Sequence, residues 1–175
     1  MRAINITGKH NIDKINEIGN ETYKAVRKHM AALDEAVLNH ATQLDVLRNL
    51  YIIGPDYKSS NTSLYLSELN HKIQSYKDQD KKKELHDQAT LINLEEVLEK
   101  LVGSQLTCCY CSKPISVLYK NVREPTQWTL DRIDNALSHT RENTCIACLK
   151  CNLQRRTDNH EYFKNGKQFK CNIIR

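Results

Sequence analysis

The stretch WTLDRIDNALSHTRENTCIACLKCN at residues 128–152, together with CCYC at 108–111, decides how this chain folds. Both stretches contain C-x-x-C pairs, and two such pairs supply the four thiolates of a tetrahedral zinc site. The expected ligands of a structural Zn²⁺ are Cys108, Cys111, Cys148 and Cys151. A region of roughly 70 residues builds only a small hydrophobic core, so a metal that ties its loops together makes physical sense.

The choice of ligands has an alternative, because Cys145 and Cys148 also form a C-x-x-C pair. We prefer Cys148 and Cys151, because Asn152 then begins a helix beside the segment that joins the two C-x-x-C pairs. Each of these pairs, with its turn, is called a knuckle. Cys145 then falls on the strand that leads into the knuckle, where a thiol behaves as a small hydrophobic group. The other cysteines expected to be non-ligands are Cys109 and Cys171.

Composition narrows the class of protein. Nothing in the chain reaches the roughly 18 consecutive apolar residues that a membrane span needs. The first residues, MRAINITG, lack the apolar core of a signal peptide, so we expect an intracellular protein of the cytoplasm or nucleus. In such a reducing compartment, seven cysteines favour metal binding over disulfides.

Charge is distributed unevenly along the chain. Residues 1–103 hold 14 Lys and Arg against 15 Asp and Glu, a net charge of −1. Residues 104–175 hold 12 against 6, a net charge of +6. The basic second half favours a polyanionic partner, and nucleic acid is the natural candidate.

The first region, residues 1–103, is predicted to contain about three helices. A helix from about Asp13 to Ile53 carries a heptad seam of apolar residues between Val26 and Tyr51. This seam needs a partner helix, so the region forms either an intrachain bundle or a homodimer, and the homodimer is slightly favoured. A second helix ends at a solvated turn over 78–83, and a third runs to about Val102.

The second region, residues 104–175, has a different character. Residues typical of strands occur at 117–119 and 128–130, and a helical pattern returns at 149–158. The whole chain is therefore expected to be α+β, with a helical region followed by a small zinc-stapled unit.

In these motifs, residues 105–158 resemble the HNH, or ββα-metal, endonuclease superfamily, and in particular its phage recombination-endonuclease branch. The family has an acidic residue at the end of a first strand, an Asn in the connecting loop, and C-x-x-C-N at the start of a helix. In this chain Leu130-Asp131-Arg132-Ile133-Asp134 matches the strand, Asn143 the loop, and Cys148-Leu149-Lys150-Cys151-Asn152 the helix start.

The resemblance implies a role for each matched position. Asp131 and Asn152 would bind one catalytic Mg²⁺ or Mn²⁺ through oxygen atoms, which these ions prefer. Asn143 would brace the loop by hydrogen bonds. The resemblance therefore implies a metal-dependent endonuclease that hydrolyses phosphodiester bonds in nucleic acid, with DNA as the expected substrate.

The chain departs from the family at the general base. The family has a histidine after the acidic residue, and here that position is Arg132. A guanidinium accepts no proton at neutral pH, but it can neutralise charge on a reacting phosphate. His139 is the nearest candidate for the missing base, and Asp134 is another.

Three readings of the function follow. In the first, the chain is an endonuclease, and Lys150, Arg155 and Arg156 on the last predicted helix contact flanking phosphates. In the second, the chain is a non-catalytic zinc module that binds nucleic acid, such as a transcription or packaging factor. In the third, the helical half is a protein–protein adaptor with no affinity for nucleic acid.

Overall fold

The computed structural model of the chain describes residues 25–85 and 90–169, which form an α+β structure. Its helices are α1 Glu35–Leu38, α2 His40–Ile53, α3 Thr62–Lys82, α4 Leu94–Gly103, α5 Leu149–Arg155 and α6 His160–Gln168. Two antiparallel strands, β1 Trp128–Arg132 and β2 Thr144–Cys148, lie between α4 and α5. Within these ranges, no helix is both long and apolar enough to cross a lipid bilayer.

The single long helix expected from Asp13 to Ile53 is wrong over residues 25–39, and its first part lies outside the described residues. Asp34 and Asn39 both have extended backbone angles. Their side chains accept hydrogen bonds from the backbone N–H groups two residues later. Capping of this kind starts a new helix, so two helices stand where the seam predicted one.

The apolar seam packs largely within the chain. Met30, Leu44 and Leu47 are buried in the common core, while Val26 and Tyr51 at the two ends are exposed. Intrachain packing therefore covers the middle of the seam, and the homodimer stays a prediction.

Helix α3 continues to Lys82, through most of the segment 78–83 where the sequence predicts a solvated turn. The reason is Asp80, whose side chain is fully buried. Its carboxylate accepts hydrogen bonds from the backbone and the ring of His139, at 2.8 Å each. Asp80 lies in a polar run of the sequence, and the local sequence pattern does not indicate its tertiary contact with His139.

The third helix begins later than expected, at Leu94. Asn93 caps it, and Glu96 returns a hydrogen bond to the Asn93 backbone, which completes a capping box. Leu91, three residues before this helix, forms an isolated antiparallel bridge with Thr140.

The hairpin of β1 and β2 leads directly into α5. Asp131 pairs with Cys145 across the two strands, and Arg132 pairs with Thr144. Side chains alternate along a strand, so Thr129 and Asp131 share one face of β1. The residues at 117–119 are not in a strand; the Gln43 side chain satisfies their backbone instead.

One hydrophobic core joins the helices to the hairpin. The Tyr76 hydroxyl of α3 accepts a hydrogen bond from Leu130 N of β1 at 2.9 Å. Lys72 of α3 donates to the Trp128 carbonyl and stands 4.9 Å from the Trp128 ring centroid. Contacts of this kind cross the expected boundary at residue 103, so α3 forms one wall behind the strand that carries Asp131.

Candidate functional site

Four cysteine thiols meet in one cluster. The sulfur atoms of Cys108, Cys111, Cys148 and Cys151 all lie within 4.8 Å of one another. Zinc–sulfur bonds near 2.3 Å place the sulfurs of a tetrahedral site roughly 3.8 Å apart, so this cluster could hold a metal ion such as zinc. These are the four ligands chosen from the sequence, with the second pair in the preferred register.

The cluster ties the first knuckle to the start of α5. Cys148 is the N-cap of this helix, and its sulfur accepts the Cys151 N–H at 3.4 Å. Asn152 directly follows the last ligand. A metal at the cluster would therefore fix α5 against the end of the hairpin.

The two spare cysteines of the motifs also lie together. The sulfurs of Cys109 and Cys145 are 3.1 Å apart, and both residues are partly buried. Cys145 has a partner that the sequence interpretation, which treats it as a small hydrophobic group, does not anticipate.

Asp131 is the centre of a buried polar network. Only 5% of the residue is exposed, and its carboxylate accepts hydrogen bonds from Arg155 Nε at 2.7 Å and Nη2 at 3.0 Å. The Tyr110 hydroxyl donates to the same carboxylate at 2.6 Å. Burial lowers the pKa of Arg155, but its contacts with Asp131 outweigh burial and raise it overall. Arg155 is therefore a permanent cation on Asp131 in this arrangement.

The network extends to a residue that the sequence interpretation misses. His160 Nδ1 lies 2.9 Å from the Tyr110 hydroxyl. Burial lowers the pKa of His160, Glu161 opposes this shift, and Arg155 and Lys164 lower the pKa further, so the net shift favours the neutral ring. Nothing in the local sequence around His160 indicates this contact, which joins residues 50 positions apart.

Asn152 lies on the same side of β1 as Asp131. Its amide nitrogen donates to Thr129 Oγ1 at 3.1 Å, and Thr129 shares a strand face with Asp131. The amide oxygen has no hydrogen-bond partner within residues 25–85 and 90–169. Among the described residues, the Asn152 amide oxygen is therefore available as a metal ligand beside the strand that carries Asp131.

Asn143 braces the loop between the strands. Its side-chain oxygen accepts from Asp134 N at 2.9 Å, and its nitrogen donates to the carbonyls of Asp134 and Ser138, also at 2.9 Å. Three hydrogen bonds from one buried amide fix the shape of the loop, which is the role implied by the resemblance.

Arg132 and His139 occupy positions different from those expected of a phosphate clamp and a general base. Arg132 is 7% exposed, donates to the Leu137 carbonyl, and approaches Asp80 to 3.8 Å. His139 is 3% exposed, bonds Asp80, and packs its ring on Tyr76 at 4.7 Å. Burial lowers the pKa of His139. Both side chains therefore attach the loop to α3.

The basic residues of α5 separate into two kinds. Lys150 and Arg156 are exposed, as a phosphate contact requires. Arg155 is 1% exposed, and its donors are used by Asp131, Asn135 and two backbone carbonyls. The expectation that Arg155 contacts phosphate is wrong for this arrangement, because the guanidinium is buried and its hydrogen bonds hold it on Asp131 and the neighbouring backbone.

A surface cavity of about 490 Å³ opens beside the network. His160 and Arg155 line it together with residues of the loop after β1, the turn before α6 and the start of α6. The other lining residues are Ile133, Asp134, Asn135, Thr157, Asp158, Asn159 and Glu161. Two members of the Asp131 network, Arg155 and His160, therefore line one surface opening.

Comparison with known proteins adds no relative. No protein-family model, no curated protein and no solved structure matches the chain.

Proposed function

We propose that the chain is a metal-dependent endonuclease that hydrolyses phosphodiester bonds in nucleic acid, with DNA as the expected substrate. One observation carries the proposal. A two-stranded hairpin leads directly into α5, and this unit holds Asp131 and Asn152 on one side of β1, next to a four-cysteine cluster. This is the arrangement of oxygen donors that the resemblance assigns to a nuclease.

The donor chemistry suits Mg²⁺ or Mn²⁺, because a carboxylate and an amide oxygen are ligands that these ions accept. Arg155 bears on the fit directly. Three hydrogen bonds to the two Asp131 oxygens leave about one lone-pair site of four. A divalent ion on Asp131 would therefore require Arg155 to withdraw at least in part. When bound, such an ion would polarise the reacting phosphate and favour ionisation of water.

The chain's own residues supply the remaining functions. Lys150 and Arg156 are exposed, so they would contact phosphates and align the nucleic acid. Asn143 and the buried Asp80–Arg132 contact hold the loop that forms one wall. The Zn²⁺ expected at the four cysteines would keep α5 and the hairpin in register.

A plasmid-nicking assay tests the proposal. Protein with Mg²⁺ or Mn²⁺ is expected to nick supercoiled DNA, and EDTA is expected to stop it. Asn152→Ala and Asp131→Asn should abolish nicking and leave DNA affinity unchanged, since neither residue contacts phosphate in the proposal. Glu142→Gln, at an exposed position of the loop between β1 and β2, is the matched control. Full activity in Asn152→Ala would contradict the proposal.

The Arg155 ion pair favours a second candidate, a zinc module that binds nucleic acid without cleaving it. In that reading Arg155 is a permanent structural partner of Asp131, and no ion replaces it. The same protein would shift DNA in a low-salt gel and would show no nicking with any divalent ion. A folded, zinc-loaded preparation with this behaviour would replace the endonuclease proposal.

A further inference from the structure

We propose that His160, on α6, is the general base of the endonuclease reaction and that Tyr110 is its positioning residue. This inference rests on the proposed function. It names the residue that takes over from the family histidine, whose position is Arg132 in this chain.

The Tyr110 hydroxyl has a single proton and two neighbours that could accept it. Asp131 lies 2.6 Å from the hydroxyl oxygen and His160 Nδ1 lies 2.9 Å from it. A carboxylate is acceptor-only, and a charge-assisted hydrogen bond is the stronger one, so the proton points to Asp131.

The tautomer of His160 follows from that assignment. With its proton directed at Asp131, the Tyr110 oxygen can only accept from His160, so Nδ1 carries the hydrogen. A neutral imidazole has one N–H, and the lone pair is therefore on Nε2. Asp131 and Tyr110 thus set the tautomer from one side and leave the basic nitrogen on the other.

The basic nitrogen belongs to a residue that lines the 490 Å³ cavity. Glu161 Oε1 lies 3.6 Å from Nε2 and is available to stabilise the imidazolium once it forms. His160 is also the first residue of α6, and the positive end of a helix favours the neutral ring before reaction. His139, by contrast, is bonded to Asp80 and packed on Tyr76.

Hydrolysis of the phosphodiester bond begins with the attacking water molecule. Nε2 takes a proton from water as the water oxygen bonds to phosphorus. The bond between phosphorus and the 3′ oxygen breaks, its electron pair stays on that oxygen, and solvent supplies the proton that completes the 3′ hydroxyl. The imidazolium then returns its proton to solvent, so each cleavage consumes one water molecule.

The decisive variant is His160→Gln, compared with His71→Gln at an exposed histidine of α3. The cleavage rate of His160→Gln should fall by on the order of 10²–10⁴-fold, the usual contribution of a general base. DNA affinity, zinc content and circular dichroism should not change. The acid limb of the pH–rate profile should vanish in His160→Gln and persist in His71→Gln. The titrating groups facing His160 in that profile are Tyr110, Asp131, Cys145, Arg155, Glu161 and Lys164.

A measurement without turnover tests the tautomer itself. Nitrogen NMR of histidine-labelled protein should assign the His160 proton to Nδ1, and Tyr110→Phe should remove that preference. Imidazole added to His160→Ala should restore part of the cleavage rate.

The outcomes separate the two proposals. Equal cleavage by wild type and His160→Gln, or a proton on Nε2 in the wild type, would overturn the base assignment alone. A folded wild-type protein that nicks no DNA would overturn both.

Discussion

Arg155 and Arg156 are neighbours in the chain, yet their side chains have opposite surroundings. Arg155 is 1% exposed and is paired with Asp131, whereas Arg156 is exposed and lies in the left-handed region with φ 53°. The sequence predicts a phosphate contact for both, because a run of basic residues carries no information on which one turns inward. Because Arg155 is buried and Arg156 is exposed, Arg155 is a structural residue and Arg156 is a candidate phosphate contact.

Substitutions of these two arginines should have reciprocal effects. Arg155→Met leaves a buried carboxylate without its cation, so the free energy of unfolding of the zinc-loaded protein without added Mn²⁺ should fall by about 3–5 kcal/mol. Mn²⁺ should restore part of that loss, because the ion would supply the missing charge. Urea denaturation with and without Mn²⁺ measures both effects.

The control for this pair is Arg156→Gln. Its free energy of unfolding should stay within about 0.5 kcal/mol of wild type, as for other exposed sites. Its DNA affinity should fall, and the salt dependence of binding should become shallower by about one charge. Equal stability losses in both variants would show that the Asp131–Arg155 ion pair has no net value.

At the scale of elements, α3 supports the hairpin through polar contacts as well as apolar ones. Asp80, Tyr76 and Lys72 each reach the second region from this one helix. Burial lowers the pKa of Lys72 to about 7, although nearby Glu68 raises it. The sequence predicts the existence of α3, the hairpin and α5, because periodicity and the knuckles are local signals. It misses the length of α3, because Asp80 is explained only by a partner 59 residues away.

Acid should destabilise the protein through its buried histidines. His139 and His160 both have pKa values lowered by burial, so the unfolded chain binds more protons than the folded one below about pH 6.5. The free energy of unfolding is therefore fully retained above that pH and falls below it. The expected slope is up to about 1.4 kcal/mol per pH unit for each histidine. Denaturation of His139→Gln between pH 7 and about 5 should show a shallower slope than wild type.

For the molecule as a whole, one core spans the two regions that the sequence separates. The four-cysteine cluster was predictable, because C-x-x-C spacing is a direct record of metal geometry. The network of Asp131, Tyr110, Arg155 and His160 was predictable only at Asp131. Its other members come from a knuckle and two helices that meet only after folding.

Metal content is the first test at this scale. Purified protein should contain about one Zn²⁺ per chain, because four thiolates complete one tetrahedral site. Cys111→Ser should lose the metal and unfold the hairpin, and a strong chelator should do the same. Cys171→Ser, which lies outside the described residues, is the control and should keep its zinc. Elemental analysis with circular dichroism decides the outcome, and a folded, zinc-free wild type would refute the expectation.

Truncation is the second test. A fragment of residues 104–175 loses α3 and with it the Tyr76 and Asp80 contacts to the hairpin. We expect it to bind zinc but to lack fixed packing, with hydrophobic surface that binds a dye such as ANS. Amide exchange of β1 in the fragment and in the full chain would measure the difference. Equal protection would mean that the second region folds independently.

Trp128, at the start of β1, also gives the protein an optical reporter. It is the only tryptophan of the chain, it is fully buried, and the Lys72 ammonium stands over its ring. Its fluorescence emission therefore reports on a single place, the contact between α3 and β1. A stopped-flow trace of tryptophan emission during refolding would follow the packing of α3 against β1. Selective excitation would do so even with DNA present, since the bases do not fluoresce appreciably.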